Sequence, residues 1–497
     1  MRVALIAVFA SVVAVPFVAC SSSKVDTALL TVADAGESRP PTPAEWDRMV
    51  TRPDEASAKG SRTACKFGRG AMPAETLGGE LPVDKDIPIE TVIVLMQENR
   101  SFDSYFAHLG KYAKRTDIES APEDTTNPTN VGVAPGALHK WQHAPHKCFL
   151  DTNHEWTGSH VQYDDGKMDG FFQTNQDWAG ETIKNPTPPL MDGERALWWY
   201  DERDIPFYYS LASTFGIGDK YFCSLLGPTW PNRMFLYGAT SFGRTSNIFP
   251  ELGLFAFPDN DATIFDELEK RHIAWNIYTA NLPGAAVLVG PAITNRWGRN
   301  PVHSIDEFNT EAAAGTLPPV VFVDPYLGDE GPGRNDEHPP AHLQVGQKFV
   351  SDVVHTLFKS PQWAKSALFI TYDEHGGIYD HVPPPAACEP DKLLPTFDKG
   401  EPTPGKFDRL GARVPIIVVS PFAKKAHVSH VVYDHTSITR FIQAKFKLPA
   451  LTARDANADA LFDFFDFANP PFVTPPDIPE PPIDTAELDY CTKTFAK

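Results

Sequence analysis

The chain alternates short apolar runs with longer segments of helical spacing. Val92 to Met96, Val320 to Val323, Ala367 to Ile370 and Val414 to Ser420 are rich in β-branched and aliphatic residues. That is the pattern of strands buried on both faces of a parallel sheet. Between the second and third runs, His342 to Phe358 places Leu343, Val350, Val353, Val354 and Leu357 at near-helical spacing and stops before Ser360-Pro361. Strand, helix, strand in this order predicts a right-handed parallel crossover. Ile438 to Leu448 predicts another helix, whereas Pro470 to Pro482 is too rich in proline for helix or central strand and predicts an extended surface path. Residues 83–470 therefore read as one large α/β domain with long insertions, followed by a proline-rich extension over 471–497.

Two of the runs end abruptly in polar residues. Ala367 to Ile370 leads into Thr371-Tyr372-Asp373-Glu374-His375-Gly376-Gly377-Ile378-Tyr379-Asp380-His381, and Val92 to Met96 into Gln97-Glu98-Asn99-Arg100-Ser101-Phe102-Asp103. Open α/β sheets bind ligands at the carboxyl ends of their strands. Glu98, Asn99, Asp373 and Glu374 are four hard oxygen donors that such a geometry can gather around one divalent cation.

A third cluster, Gly227-Pro228-Thr229-Trp230-Pro231-Asn232-Arg233, holds a threonine between two prolines where a helix can begin. A hydroxyl at a helix start lies in a field that favours anions, and contact with a divalent metal lowers its pKa further. His154, His338, His342 and His435 lie in loop-like stretches carrying Asp, Asn or Pro, the kind of segment that forms the edge of a site.

The 44 basic and 64 acidic residues give a net charge of −20 and no basic stretch, which argues against nucleic acid as a partner. Arg2, the apolar run Val3 to Val18 and the small residues that follow read as a secretory signal over 1–19. Cys20 resembles the cleavage-site cysteine that becomes the lipidated first residue of bacterial lipoproteins, with ordinary secretion the alternative. A tether and irregular segment would then occupy 20–82. No later segment approaches the ~20 apolar residues of a membrane-spanning helix. Six cysteines in an exported chain favour disulfides, with Cys223 the candidate for the unpaired thiol because its flanks look like core.

Taken in order, Glu98 to Asp103, Gly227-Pro228-Thr229 with Pro231-Asn232-Arg233, Asn335-Asp336-Glu337-His338-Pro339, Asp373 to Gly377 with Asp380-His381, and Tyr433-Asp434-His435-Thr436-Ser437 resemble the bacterial phosphoesterases that include non-specific phospholipase C and acid phosphatase. The likeness runs from about residue 88 to about 466. It implies an alkaline-phosphatase-like core, a mainly parallel sheet with helices on both faces. It also implies a divalent metal, of unknown identity, on Glu98, Asn99, Asp373 and Glu374. Thr229 aligns as nucleophile, with His154 and His338 orienting the phosphoryl group, and Asn232, His342, His375 and His381 are carried as substrate-binding candidates. The expected activity is hydrolysis of phospholipid headgroup diesters through a phosphothreonine, near a membrane if Cys20 is acylated. A phosphomonoesterase of the acid-phosphatase type and a non-catalytic surface lipoprotein are the alternatives. Trp141, Trp156 and Trp198-Trp199-Tyr200 are candidates for a headgroup pocket.

Overall fold

The computed structural model describes residues 42, 45–132, 136–178, 180, 188–247, 263–281, 283–286, 297–327, 331–397 and 401–495. The signal at 1–19, Cys20 and the tether up to residue 41 lie outside the described residues.

The core is an eight-stranded sheet. Its strands are β1 (Thr91–Gln97), β2 (Gly216–Gly218), β3 (Trp275–Thr279), β4 (Val302–Ser304), β5 (Val320–Asp324), β6 (Ser366–Tyr372), β7 (Ile416–Val419) and β8 (His427–Ser429). Their spatial order is β8-β2-β7-β6-β1-β5-β3-β4. Only β7 runs against its neighbours; every other pairing is parallel. β1 and β6 are central and buried along their full length, which is why their sequences are unbroken apolar runs. β7 starts later than its apolar run because Pro415 has no N–H to give the ladder.

Six helices matter below: α1 (Glu55–Thr63), α2 (Trp156–Tyr163), α3 (Thr229–Gly238), α4 (Leu343–Lys359), α5 (His435–Phe446) and α6 (Thr485–Phe495). α4 is the crossover from β5 to β6 and buries Val350, Val353, Val354 and Leu357, as their spacing predicts. α5 packs on α3, where the Thr439 hydroxyl donates to the Leu236 carbonyl at 2.6 Å.

Two boundaries need correction. Residues 45–82 are not a tether: Trp46, Met72 and Leu77 belong to the main core. α1 is capped by Asp54, and Arg62 on it donates to the Thr76 carbonyl at 2.7 Å and pairs with Glu55 and Asp459 at 2.6 Å. Isolated anchors separated by polar residues leave no periodicity to read. The extension after Pro470 does run without helix or strand to Asp484, but it then forms α6. Among the described residues the disulfides are Cys65–Cys388 and Cys148–Cys491, and Cys223 is a buried free thiol.

Candidate active site

β1 and β6 are paired in parallel with Gln97 opposite Tyr372, so the residues after each strand emerge side by side. The backbone continues the pairing: Asp373 N–H donates to the Gln97 carbonyl and Arg100 N–H to the Glu374 carbonyl, both at 3.1 Å. Asn99 turns at φ +60° and gives its N–H to Asp373 Oδ1 at 3.1 Å. The two glycines that follow are dictated by contact. A Cβ on Gly376 would lie 2.7 Å from the Asn99 carbonyl oxygen, and one on Gly377 would lie 2.3 Å from that of Asn153. The pair thus lets the Asp151–His154 loop close against the strand ends.

Four carboxylates are buried together here: Glu98, Asp373, Glu374 and Asp324, the last ending β5 beside β1. One fully buried guanidinium, Arg233, lies among three of them. Its Nε is 3.1 Å from Asp373 Oδ2, its Nη2 is 3.4 Å from Glu98 Oε1 and its Nη1 is 3.7 Å from Asp324 Oδ1. Burial drives Asp373 and Glu374 well above the usual carboxylate range, and although Arg233 and His154 respectively oppose this, neighbouring Glu98 adds to both.

The orphaned polar atoms among these residues are what a divalent cation would satisfy. Glu374 Oε1 and both side-chain polar atoms of Asn99 are buried without a hydrogen-bond partner, an expensive arrangement unless something binds them. Glu98 and Asp373 supply further hard oxygens, and a bound cation would offset the crowded negative charge.

Thr229 is the first residue of α3 and is 4% exposed. Arg233 lies one turn further along the same helix, so the guanidinium that ties down Asp373 and Glu98 also anchors the helix start that bears the hydroxyl. The loop before it is shaped by Asn232, whose side chain accepts from the N–H groups of Ser224 (2.9 Å) and Leu225 (3.0 Å) and donates to the carbonyls of Gly227 (2.9 Å) and Pro228 (3.2 Å). A Cβ on Gly227 would touch Trp156 at 3.4 Å, which brings the His154 segment against this loop.

His154 and His338 face each other edge-on with ring centroids 5.7 Å apart. Each donates its Nδ1 proton to a main-chain carbonyl at 2.6 Å, His154 to Thr152 and His338 to Pro339, leaving both Nε2 atoms for other work. With Asp151 they offer ligand atoms all within 4.8 Å of one another. Their charges differ. Burial opposes protonation of His154, but Glu374, Asp151 and Glu155 outweigh it and raise its pKa to about 10. Burial, against Asp151 but helped by Arg334 and His154, lowers His338 to about 4. A cationic and a neutral imidazole side by side divide donor and acceptor roles. Glu337 fixes the His338 loop, accepting hydroxyl hydrogen bonds from Tyr105 (2.6 Å), Tyr208 (2.5 Å) and Tyr372 (2.9 Å).

The four substrate-binding expectations do not fit their surroundings. The Asn232 amide is consumed by its loop. His342 is buried, with Lys147, Glu487 and Asp484 as its charged neighbours. His375 is 1% exposed and its Nε2 meets Gln162 Oε1 at 2.7 Å. His381 belongs to a different network, with its Nδ1 2.6 Å from Asp103 while Arg413 binds Asp103 and Asp380 at 2.8 Å each. Trp141 and Trp199 pack around His108, and only Trp156 adjoins the Thr229 loop.

Sequence reasoning gave no role to Arg233, Asp324 or Asp151, whereas His435, expected at the site edge, holds the Asp373 carbonyl through its Nε2 at 2.7 Å. Asp324 was within reach, since it ends an apolar run by the same rule that selected Asp373. Arg233 stands one helical turn after Thr229, a spacing that already places both on one face.

The model of the Phosphoesterase family matches residues 89–449, and the chain belongs to that family. Non-specific phospholipase C1 of Arabidopsis thaliana is 33% identical over 406 residues, covering 77% of this chain and 72% of that one. Phospholipase C B of Mycobacterium tuberculosis (strain ATCC 25618 / H37Rv) is 31% identical over 501 residues, covering 90% and 91%. Among solved structures, a protein of the alkaline phosphatase superfamily from Vibrio parahaemolyticus is similar at a TM-score of 0.32 and 9% identity, over 73% of this chain and 79% of that one.

Proposed function

We propose that this protein is a metal-dependent phosphodiesterase of phospholipase C type with Thr229 as its nucleophile. The observation that carries the reading is the coupling through Arg233 of a helix-start hydroxyl to strand-end carboxylates beside unpartnered Asn99 and Glu374 atoms. The relatives named phospholipase C support the substrate class.

Thr229 Oγ attacks phosphorus in line, and the alcohol of the ester leaves. His338, neutral through Nε2, takes the Thr229 proton and returns it when the phosphothreonine is hydrolysed, while the departing alkoxide is protonated by solvent. The His154 imidazolium donates to an equatorial phosphoryl oxygen, where negative charge is concentrated. Water then hydrolyses the phosphothreonine and regenerates the hydroxyl. A divalent cation held by Glu98, Asn99, Asp373 and Glu374 would supply Lewis-acid polarisation of the phosphoryl group and lower the pKa of the attacking hydroxyl.

The assay compares p-nitrophenylphosphorylcholine with p-nitrophenyl phosphate, with and without chelator. Diester turnover that needs divalent metal and vanishes in Thr229→Ala, with the fold intact, is the expected outcome. Faster monoester turnover would make the protein a phosphatase instead, and wild-type rates in Thr229→Ala would remove the nucleophile.

The reading extends to location. Two disulfides suit an oxidising compartment, and no helix of the described residues is long and apolar enough to cross a membrane. Export through the 1–19 signal with acylation at Cys20 would keep the enzyme near phospholipid.

A further inference from the structure

Large apolar side chains stand out of the surface on one loop, where Leu393 is 45% exposed, Leu394 72% and Phe397 45%. The described residues of the loop that carries them are braced. Thr396 N–H and hydroxyl both donate to the Gly243 carbonyl (2.7 and 3.0 Å), and the Thr245 hydroxyl donates back to the Thr396 carbonyl at 2.9 Å. Phe397 N–H binds the Glu401 carbonyl at 2.7 Å, Thr403 N–H the Pro395 carbonyl at 2.9 Å, and Leu393 N–H the Asp391 carboxylate at 2.8 Å. Asp391 also accepts from the Thr240 hydroxyl at 2.6 Å. These backbone groups are satisfied within the protein while the apolar side chains point to solvent. That combination is costly in water and is what entry into a lipid interface demands, since unpaired backbone groups are excluded from it.

The loop is also linked along the chain to segments that flank the candidate active site. Thr240 to Thr245, which brace it, follow directly on the carboxyl end of α3, whose other end is Thr229. After Thr403 the chain returns through Gly405, Lys406 and Arg409 to wall a cavity of about 410 Å³. The same cavity is lined by Trp156, two residues past His154, and by Leu225 and Leu226, four and three before Thr229. Gly405 sits at φ +114°, where a Cβ would come within 2.9 Å of the Trp156 ring, so this return path is fixed against the site.

We propose that Leu393, Leu394 and Phe397 form a docking tip that inserts into a phospholipid surface and sets the Thr229 site over it. The inference rests on the phospholipase reading for its substrate, but not for the docking itself. With a net charge of −20 the chain as a whole is repelled by anionic lipid, so the occupant is a zwitterionic surface, held by apolar contact and little affected by salt.

The test uses the full chain carrying Cys20→Ser, so that acylation contributes nothing, and phosphatidylcholine vesicles. Replacing Leu393, Leu394 and Phe397 together by Asp should weaken flotation with vesicles by at least about tenfold. Hydrolysis of vesicle phosphatidylcholine should fall in parallel, with turnover of soluble p-nitrophenylphosphorylcholine unchanged. Leu138→Asp, the same change at a side chain 63% exposed elsewhere, should leave vesicle binding intact. Unchanged flotation of the triple variant overturns the proposal, as does equal loss in Leu138→Asp, or a wild-type dimer that the triple variant breaks without altering vesicle binding. If the wild type floats but turns over neither substrate, the enzymatic reading fails and the docking stands.

Discussion

Arg233 is 0% exposed among Glu98, Asp373 and Asp324, so it sets both charge balance and geometry. Removing one partner from such a buried cluster leaves uncompensated charge and costs about 3–5 kcal/mol. Arg233→Met should lower the melting temperature accordingly, and added divalent cation should recover more of the loss than it adds to the wild type. Melts with and without chelator check this. His342 is the opposite case, a buried imidazole with both ring nitrogens unpartnered. Burial, then Lys147, lowers its pKa from 6.5 to about 4. Between those values the unfolded chain binds a proton that the folded chain does not. The stability is therefore present in full above 6.5 and lost as pH falls through 4, about 3 kcal/mol in all. His342→Leu should flatten that part of the acid slope while keeping activity, because nothing there binds substrate; melting curves across the acid range and the diester assay check both halves.

At the scale of elements, the site depends on how α3 begins. Pro228 and Pro231 restrict the backbone around Thr229, but the bonds of Asn232 decide where that backbone lies. Asn232→Ala should cost about 2–4 kcal/mol, since it strands several buried polar groups. It should lower kcat with divalent-cation affinity kept, because the strand-end ligands are untouched; metal titration followed by calorimetry beside kinetics separates the two. The apolar runs made β1, β5, β6 and α4 legible, because a central strand and an amphipathic crossover write their burial into local composition. α1, α6 and the core role of Trp46 were not legible. They are held by disulfides, by Arg62 and by isolated anchors, none of which repeats at a helical or strand period.

Over the whole molecule, the two disulfides join segments 323 and 343 residues apart and fasten both ends of the described chain to its middle. Closing such long loops in the unfolded chain contributes about 2–5 kcal/mol each. Exported protein should show by mass spectrometry a single free thiol at Cys223, both disulfides formed, and a first residue Cys20 bearing acyl groups. Reduction should lower its melting temperature. A mature start elsewhere would mean simple secretion.

The sequence by itself determined the mainly parallel α/β core and the motifs of the site: buried central strands must be apolar, and the polar residues that interrupt them stand at their carboxyl ends. It also selected Thr229, His154, His338 and the strand-end ligand set as candidates. Only the tertiary structure decided which of those residues stand together. Glu98 and Asp373 became neighbours through the pairing of β1 with β6, 275 residues apart at Thr91 and Ser366 (366 − 91), and Arg233 came between them from a third segment. Asn232, His342, His375 and His381 have the residue types of a binding site, yet burial and hydrogen bonds gave them to the scaffold. Residue type states what a side chain can do; which partner it meets is a property of contacts distant in sequence, and no local pattern encodes it.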